Sequence, residues 1–214
     1  MENDSQSYWE EIYSKKDFFG TGPTKLAILG NEIIKKNKYK KILEIGCGQG
    51  RDALHLSHLG VNVDAFDKSH NAIKFVQDII NEQKIQNLHV FQHDVTNDLP
   101  FEKNSFDFIY SNLALQFFEL QKLKGIISDI ANTLEKNSHF LLSTKKEGDK
   151  YHNFGNKISD NSYEFNSVIR YFYDKNTLKK LFESFFEIIY FNEDEHINLD
   201  STKSVWWKIL LKRK

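Results

Sequence analysis

The chain has 214 residues, and its 29 Lys and Arg stand against 30 Asp and Glu for a formal charge of −1. That length suits one filled core, and the near-neutral balance lacks the basic footprint with which proteins hold nucleic-acid phosphate by bulk charge, so a nucleic-acid partner is not expected. The single cysteine, Cys47, rules out an intrachain disulfide framework and a cysteine zinc site. With no basic start followed by an apolar leader and no long apolar run, the expectation is a soluble, cytoplasmic chain that does not span a membrane.

In chain order, an aromatic N-terminal segment with Tyr8, Trp9 and Tyr13 leads into the loop from Phe19 to Thr24. It reads either as a lid that excludes water from a bound ligand or as a helix packed on a sheet. A helix over 23–37 opens at Pro23 and ends in the lysine-rich stretch before Lys41. Short apolar runs then alternate with amphipathic ones: strands over 41–46, 62–67, 88–93, 106–111 and 138–144, and helices over 51–59, 69–83 and 120–135, the second capped by Ser69. A polar insert from Glu147 to Ser167 precedes a helix over 174–185 and two strand-like runs, 186–192 and 203–212, which read as a hairpin. This alternation predicts an α/β fold, a doubly wound and mainly parallel sheet. One domain spans 1–214, divided into an N-terminal lid and helix (1–40), a cofactor-binding core (41–145), a substrate-side insert (146–173) and a C-terminal helix and hairpin (174–214).

The informative stretch is KILEIGCGQGRDALHLSHLG, in which a strand runs into Gly46, Gly48 and Gly50 and then into a helix. Glycine permits the positive φ and the close ligand approach that such a turn requires, and the helix N-terminus aims unpaired N–H groups at the ligand. Asp67 ends the next strand, where a carboxylate accepts both hydroxyls of a ribose. Asp94 ends the third strand, placed to meet the amine of an adenine. Each feature alone also reads as an ordinary turn or cap; their ordered succession points to a nucleoside cofactor. The dinucleotide fingerprint needs a glycine where Arg51 stands. Glu44, two residues before Gly46, would repel a pyrophosphate and suits a ligand with a cationic amino group.

ILEIGCGQG, VDAFDKS, QHDVTNDLPF, NSFDFIYSNLALQFF and LEKNSHFLLST together resemble the successive motifs of class I S-adenosylmethionine-dependent methyltransferases. Within that superfamily, GCGQGRDALHLSHLGVNVDAFDKS and FEIIYFNEDEH are similar to the tellurite-resistance and thiopurine-type branch of small-molecule enzymes. The resemblance implies a Rossmann-like seven-stranded sheet whose last strand is antiparallel and inserted between the fifth and sixth. It also implies S-adenosylmethionine as cofactor and S-adenosylhomocysteine as product. Carried over by position, Glu44 reaches the cofactor's amino group, Gly46, Cys47, Gly48 and Gly50 meet its methionine part by backbone, and Arg51 touches its carboxylate. Asp67 holds the ribose, Lys68 flanks the adenine, Asp94 and the Val95 backbone meet the adenine edge, and Asn112 and Leu113 contact the methionine backbone or the surroundings of the sulfonium. Cys47 is not expected as a nucleophile, since its turn works through backbone contact.

Methyl transfer from a sulfonium is an in-line displacement in which positioning and desolvation supply much of the acceleration. The acceptor is expected to be a small molecule presenting S, Se or Te, N or O. Ser111-Asn112-Leu113-Ala114 lacks the Pro-Pro-aromatic clamp of nucleic-acid amino methylation, and the paired acids of a metal-dependent site are missing, so no metal is expected. In the insert region, Lys145, Lys146, His152, Tyr163 and Arg170 read mostly as solvated, with Arg170 a candidate for an anionic acceptor and His152 a candidate base. His93 reads as structural by strand alternation, and Trp206 and Trp207 as packing. Competing readings are a protein or RNA methyltransferase, an NAD-dependent oxidoreductase, and a cofactor-binding module without activity.

Overall fold

The computed structural model describes residues 2–198 and 200–214. Its elements run α1 (Glu2–Ser14), α2 (Lys25–Asn37), β1 (Lys41–Ile45), α3 (Arg51–Ser57), β2 (Asn62–Asp67), α4 (His70–Gln83), β3 (Leu88–Gln92), β4 (Phe106–Asn112) and a 3-10 turn at Leu115–Phe117. They continue through α5 (Leu120–Thr133), β5 (Leu134–Lys145), β6 (Asn156–Ser159), β7 (Ser162–Phe165), β8 (Val168–Tyr171), α6 (Lys175–Phe182), β9 (Phe186–Ile197) and β10 (Lys203–Arg213).

Seven strands form one sheet in the order β3-β2-β1-β4-β5-β10-β9. Strands β1 to β5 pair in parallel, and β10 runs antiparallel between β5 and β9. This is the seven-stranded arrangement expected from the sequence, and its order reverses between β1 and β4. Ligands bind at such a switch point, beyond the carboxyl ends of the strands. One face of the sheet is covered by α2, α3 and α4 through Ile34, Leu56 and Val76, the other by α5 and α6 through Ile127, Ile130, Leu178 and Phe182. Spacings of three and four put the apolar residues of each helix on one stripe. Thr24, Ser69 and Asp174 cap α2, α4 and α6 by accepting backbone N–H groups of their first turns. Thr24 takes the capping position on α2, so Pro23 lies just outside the helix rather than at its first residue.

Two departures from the sequence reading have local causes. Strand β5 begins at Leu134 rather than 138, because Leu134 already bridges Phe106 before the register jumps to Phe108 opposite His139. Asn137, at φ 63, carries the chain through that irregularity. The insert is not a solvated loop: β6, β7 and β8 form a separate antiparallel sheet. Asn166 and Ser167, both at positive φ, turn β7 into β8 as a two-residue hairpin loop.

Candidate active site

The glycine turn leaves β1 at the switch point and is fixed from below, Gly46 and Cys47 both donating their N–H to the Phe66 carbonyl of β2 at 2.9 and 3.0 Å. Its three glycines have φ between 51 and 72°, a region that costs other L-residues about 1–2 kcal/mol. Space demands them too. A Cβ on Gly46 would stand 2.4 Å from the Ala114 Cβ, and one on Gly50 2.7 Å from Val76. Gly48 is buried under α1, where the Tyr13 hydroxyl would lie 2.8 Å from its Cβ. Cys47 is buried in this turn, and burial pushes its thiol well up, which agrees with a structural rather than nucleophilic role.

Three carboxylates gather beside the turn. Asp67 is 8% exposed and accepts from the N–H groups of Gly48 at 2.9 Å and Ser69 at 3.0 Å, and burial raises its pKa in spite of those bonds. Asp52, also buried, accepts from Thr24 N–H, the Thr24 hydroxyl and the Tyr110 hydroxyl. Glu44, 3% exposed, has no hydrogen-bond partner at Oε2. Burial, then the charges of Asp52 and Asp67, drive its pKa well above the usual carboxylate range. A buried acceptor left without a donor costs about 1–3 kcal/mol, and more when charged.

Around them, Asp94 closes a turn, its Oδ1 accepting from Thr96 N–H at 2.9 Å, while Val95 packs on the α5 side of the sheet. The Lys68 carbonyl accepts from the Gln92 side chain, which ties β2 to β3 beside the turn. His93 sets its ring edge-on to Phe66 at 5.1 Å, with Nε2 buried and unpartnered. Asn112 accepts from the Ser143 hydroxyl at 2.6 Å. Leu113 adopts φ 55, a strained conformation for a leucine, and its N–H donates to both the side chain and the backbone carbonyl of Ser143. Strain of this kind concentrates at functional sites. Arg51 donates to the carbonyls of Phe19 at 2.6 Å and Gly22 at 2.8 Å, so its guanidinium holds the loop after α1.

A second charged group is built on the end of β5 and on β8. Lys145, at the carboxyl end of β5, is 7% exposed and pairs at 2.5 Å with Asp149, which also accepts from Val205 and Tyr151 N–H groups. Burial lowers the Lys145 pKa, and Asp149 opposes that shift. Arg170 on β8, 6% exposed, stacks on Tyr151 at 4.6 Å and Phe117 at 5.9 Å, and its Nη1 donates to the Val168 carbonyl at 3.2 Å. The expectation of solvated residues fails for Lys145, Tyr163 and Arg170, all buried beneath the small sheet or its rings. His152 packs between Tyr163 at 5.3 Å and Phe172 at 5.2 Å, one residue from the ring that meets Arg170. Trp207 packs against Phe191 and donates to the Tyr173 carbonyl, and Trp206 lies 5.6 Å from Lys145 Nζ. Phe117 meets Trp9 at 5.2 Å and Trp9 stacks on Tyr13 at 5.7 Å, so a row of rings runs from Arg170 to Gly48.

The charge pattern selects the cofactor. Glu44, Asp52 and Asp67 gather with no buried basic side chain among them, since the buried basic residues among those described are Lys145 and Arg170. A pyrophosphate would worsen that imbalance, whereas a nucleoside carrying cationic groups relieves it, and Glu44 Oε2 is a buried acceptor without a donor. The sheet order, with the glycine turn at its switch point, is the fold of the class I S-adenosylmethionine-dependent methyltransferases.

Comparison with known proteins narrows the class. The family described as tellurite resistance protein TehB matches over residues 9–212, and the chain belongs to that family. A probable S-adenosyl-L-methionine-dependent methyltransferase TehB of Haemophilus influenzae is 30% identical over 118 residues, covering 54% of this chain and 40% of that relative. The chain thus spans well under half the length of this relative in the match. The crystal structure of TehB from Haemophilus influenzae superposes with a TM-score of 0.70 at 19% identity, covering 98% of this chain and 67% of that one. A methyltransferase from Methanosarcina mazei superposes at 0.69 with 20% identity, over 81% and 92% of the two chains. At these identities the superpositions bear on the fold.

Proposed function

We propose that this chain, acting as one domain, transfers the methyl group of S-adenosylmethionine to a small anionic acceptor held near Lys145 and Arg170. The observation that carries the reading is the separation of buried charge: three carboxylates on the cofactor side, and on the other side two cations against the single buried anion Asp149. An uncompensated charge in a poorly solvated site favours a ligand of opposite sign. The description of the family as tellurite resistance proteins points the same way, because tellurite is an oxyanion.

When bound, S-adenosylmethionine supplies an electrophilic methyl on a good leaving group. In this proposal Glu44 accepts from its ammonium, the turn from Gly46 to Gly50 receives the methionine portion by backbone, and Asp67 accepts from the ribose hydroxyls. Lys68, Asp94 and Val95 border the adenine, while Asn112 and Leu113, braced by Ser143, border the transfer path. Trp9, Phe117 and Tyr151 exclude water between the two charged groups, which strengthens every electrostatic contact inside. An acceptor that is already anionic needs no strong base, so His152 is assigned no proton transfer. No helix of the described residues is long and apolar enough to cross a membrane, and a cytoplasmic setting suits a chain whose one cysteine is a buried free thiol.

Calorimetric titration with S-adenosylhomocysteine, with NADH as control, tests the cofactor. Binding of the first alone is expected, and binding of NADH instead overturns the reading. Turnover with tellurite, selenite and anionic thiols against neutral thiols and amines tests the acceptor; methylation of the neutral compounds alone removes the anionic assignment.

A further inference from the structure

With α1 in place, the groups that would hold the cofactor are shut away: Glu44 is 3% exposed, Asp67 is 8% exposed, and the Tyr13 hydroxyl covers Gly48. Because Tyr13 of α1 stands over Gly48 and beside Asp67, a ligand of nucleoside size reaches those two residues only if α1 moves. The way α1 is attached shows how. Among its described side chains one apolar residue, Ile12, belongs to the buried core, so the helix is not welded on by a core stripe. Glu10 instead reaches the N-terminus of α4, the helix that follows Asp67. Its Oε1 accepts from His70 N–H at 2.7 Å, and its Oε2 accepts from Asn71 N–H and the Ser69 hydroxyl, both at 3.0 Å. The Asn71 side chain donates in turn to the Glu10 carbonyl at 3.0 Å.

Helix α4 does not need this partner for its own capping, because Ser69 already accepts from Ala72 N–H and water satisfies exposed first-turn donors. The carboxylate therefore serves α1, seated where helix dipole and free donors favour a negative charge. Beyond α1 the chain has positive φ at Asp17, Gly20 and Gly22, and this stretch is tied down by Gln49, through the Lys15 carbonyl and Phe18 N–H, and by Arg51, through Phe19 and Gly22. Gln49 and Arg51 fix the stretch after α1, while α1 itself is held by the Glu10 carboxylate, by the Asn71 and Gln49 side chains on its Glu10 and Tyr13 carbonyls, by Tyr8 against Arg170 and by ring contacts. Segments held this way open at far lower free energy than the whole fold.

We propose that Glu10 is a positioning residue, the latch of a hinged N-terminal cover: its hold on the α4 N-terminus sets how often α1 lifts from the glycine turn, and thereby the rate at which the cofactor is admitted and released. The cofactor reading above enters only in naming what is covered.

The test uses the full chain and its Glu10→Ala and Glu10→Gln variants, with thermal melts confirming that each folds. Hydrogen exchange without ligand reads the latch directly: Glu10→Ala is expected to speed exchange in α1 and at the first amides of α4 about tenfold, the scale of one lost charged hydrogen bond, with β1 and β4 unchanged. Glu10→Gln keeps acceptor capacity without the charge and should fall between. Stopped-flow binding of S-adenosylhomocysteine is expected to show both association and dissociation faster in Glu10→Ala, with Kd within about threefold. Unchanged exchange in α1 overturns the latch. Faster exchange with unchanged association overturns its control of access. If the wild-type chain fails to bind S-adenosylhomocysteine, the cofactor reading fails, and the exchange result still decides the latch.

Discussion

Burial first, and then the neighbouring charge of Asp52, raises the Glu44 pKa, yet Asp52 has the donors that Glu44 Oε2 lacks. Thr24 N–H and the Tyr110 hydroxyl reach Asp52 at 2.8 and 2.6 Å, while Glu44 Oε2 has none. The contrast rules out a local shortage of polar groups. The fold spends these donors on joining α2, α3 and β4 through Asp52, which is why the proposed ligand contact falls to Glu44.

Glu44 should make the ligand-free protein less stable as pH rises. Because its folded pKa lies above the ordinary glutamate value, the unfolded chain releases a proton that the folded chain retains, so stability falls from the ordinary carboxylate range upward through the raised value. Below that range the effect is absent. Glu44→Gln is expected to flatten this fall and to raise the neutral-pH melting temperature, while weakening S-adenosylhomocysteine binding by about 1.5–3 kcal/mol. Melting curves across pH with and without ligand check both halves; a variant that binds as tightly as the parent refutes the ammonium contact.

Asp67→Ala is expected to weaken the same binding by about 1.5–3 kcal/mol, since hydrogen bonds to a charged group are lost. It also releases the N–H groups of Gly48 and Ser69 that the carboxylate now holds. Calorimetry on the folded variant checks this, and unchanged affinity removes Asp67 from the ribose site.

The glycines divide by what surrounds them. Gly46→Ala combines a left-handed φ with a Cβ 2.4 Å from Ala114 and should cost about 2–5 kcal/mol. Gly60→Ala, at φ 73 with nothing within 4 Å, should cost only the conformational part, about 1–2 kcal/mol. Gly125→Ala, inside α5 with open space around it, should stabilise by about 0.5–1 kcal/mol. Urea unfolding of the three variants tests the ranking.

Much of this was legible in the sequence because the signals were local. Strand periodicity, the cap at Ser69 and the spacing of Gly46, Gly48 and Gly50 each depend on a few adjacent residues, and the seven-stranded order followed from the resemblance they built. The small sheet was missed although its sign was present: SYEF and VIRY flank Asn166-Ser167, a two-residue hairpin pattern hidden in a polar stretch. Arg170 could be singled out but not its burial, which depends on Tyr151 and Phe117 arriving from distant segments. Glu10 carried no local mark at all. Its function depends on His70 and Asn71, sixty residues along the chain.

Lys145 and Asp149 allow the acceptor side to be tested apart from the cofactor. Lys145→Met strands Asp149 as a buried charge and should destabilise the fold by about 3–5 kcal/mol. Adding Asp149→Asn removes that charge while keeping an oxygen for the Val205 and Tyr151 N–H groups, so the double variant should recover most of the loss, and the cycle reads the coupling. Arg170→Met removes the cation that rests on Tyr151 and Phe117, while Lys145 remains to hold Asp149. It should raise KM for an anionic acceptor about ten- to a hundredfold, the scale of a lost charged hydrogen bond, while S-adenosylhomocysteine affinity stays put. A matching rise for neutral acceptors would mean that Arg170 shapes the site only by packing between Tyr151 and Phe117, and its charge would then have no part in choosing the substrate.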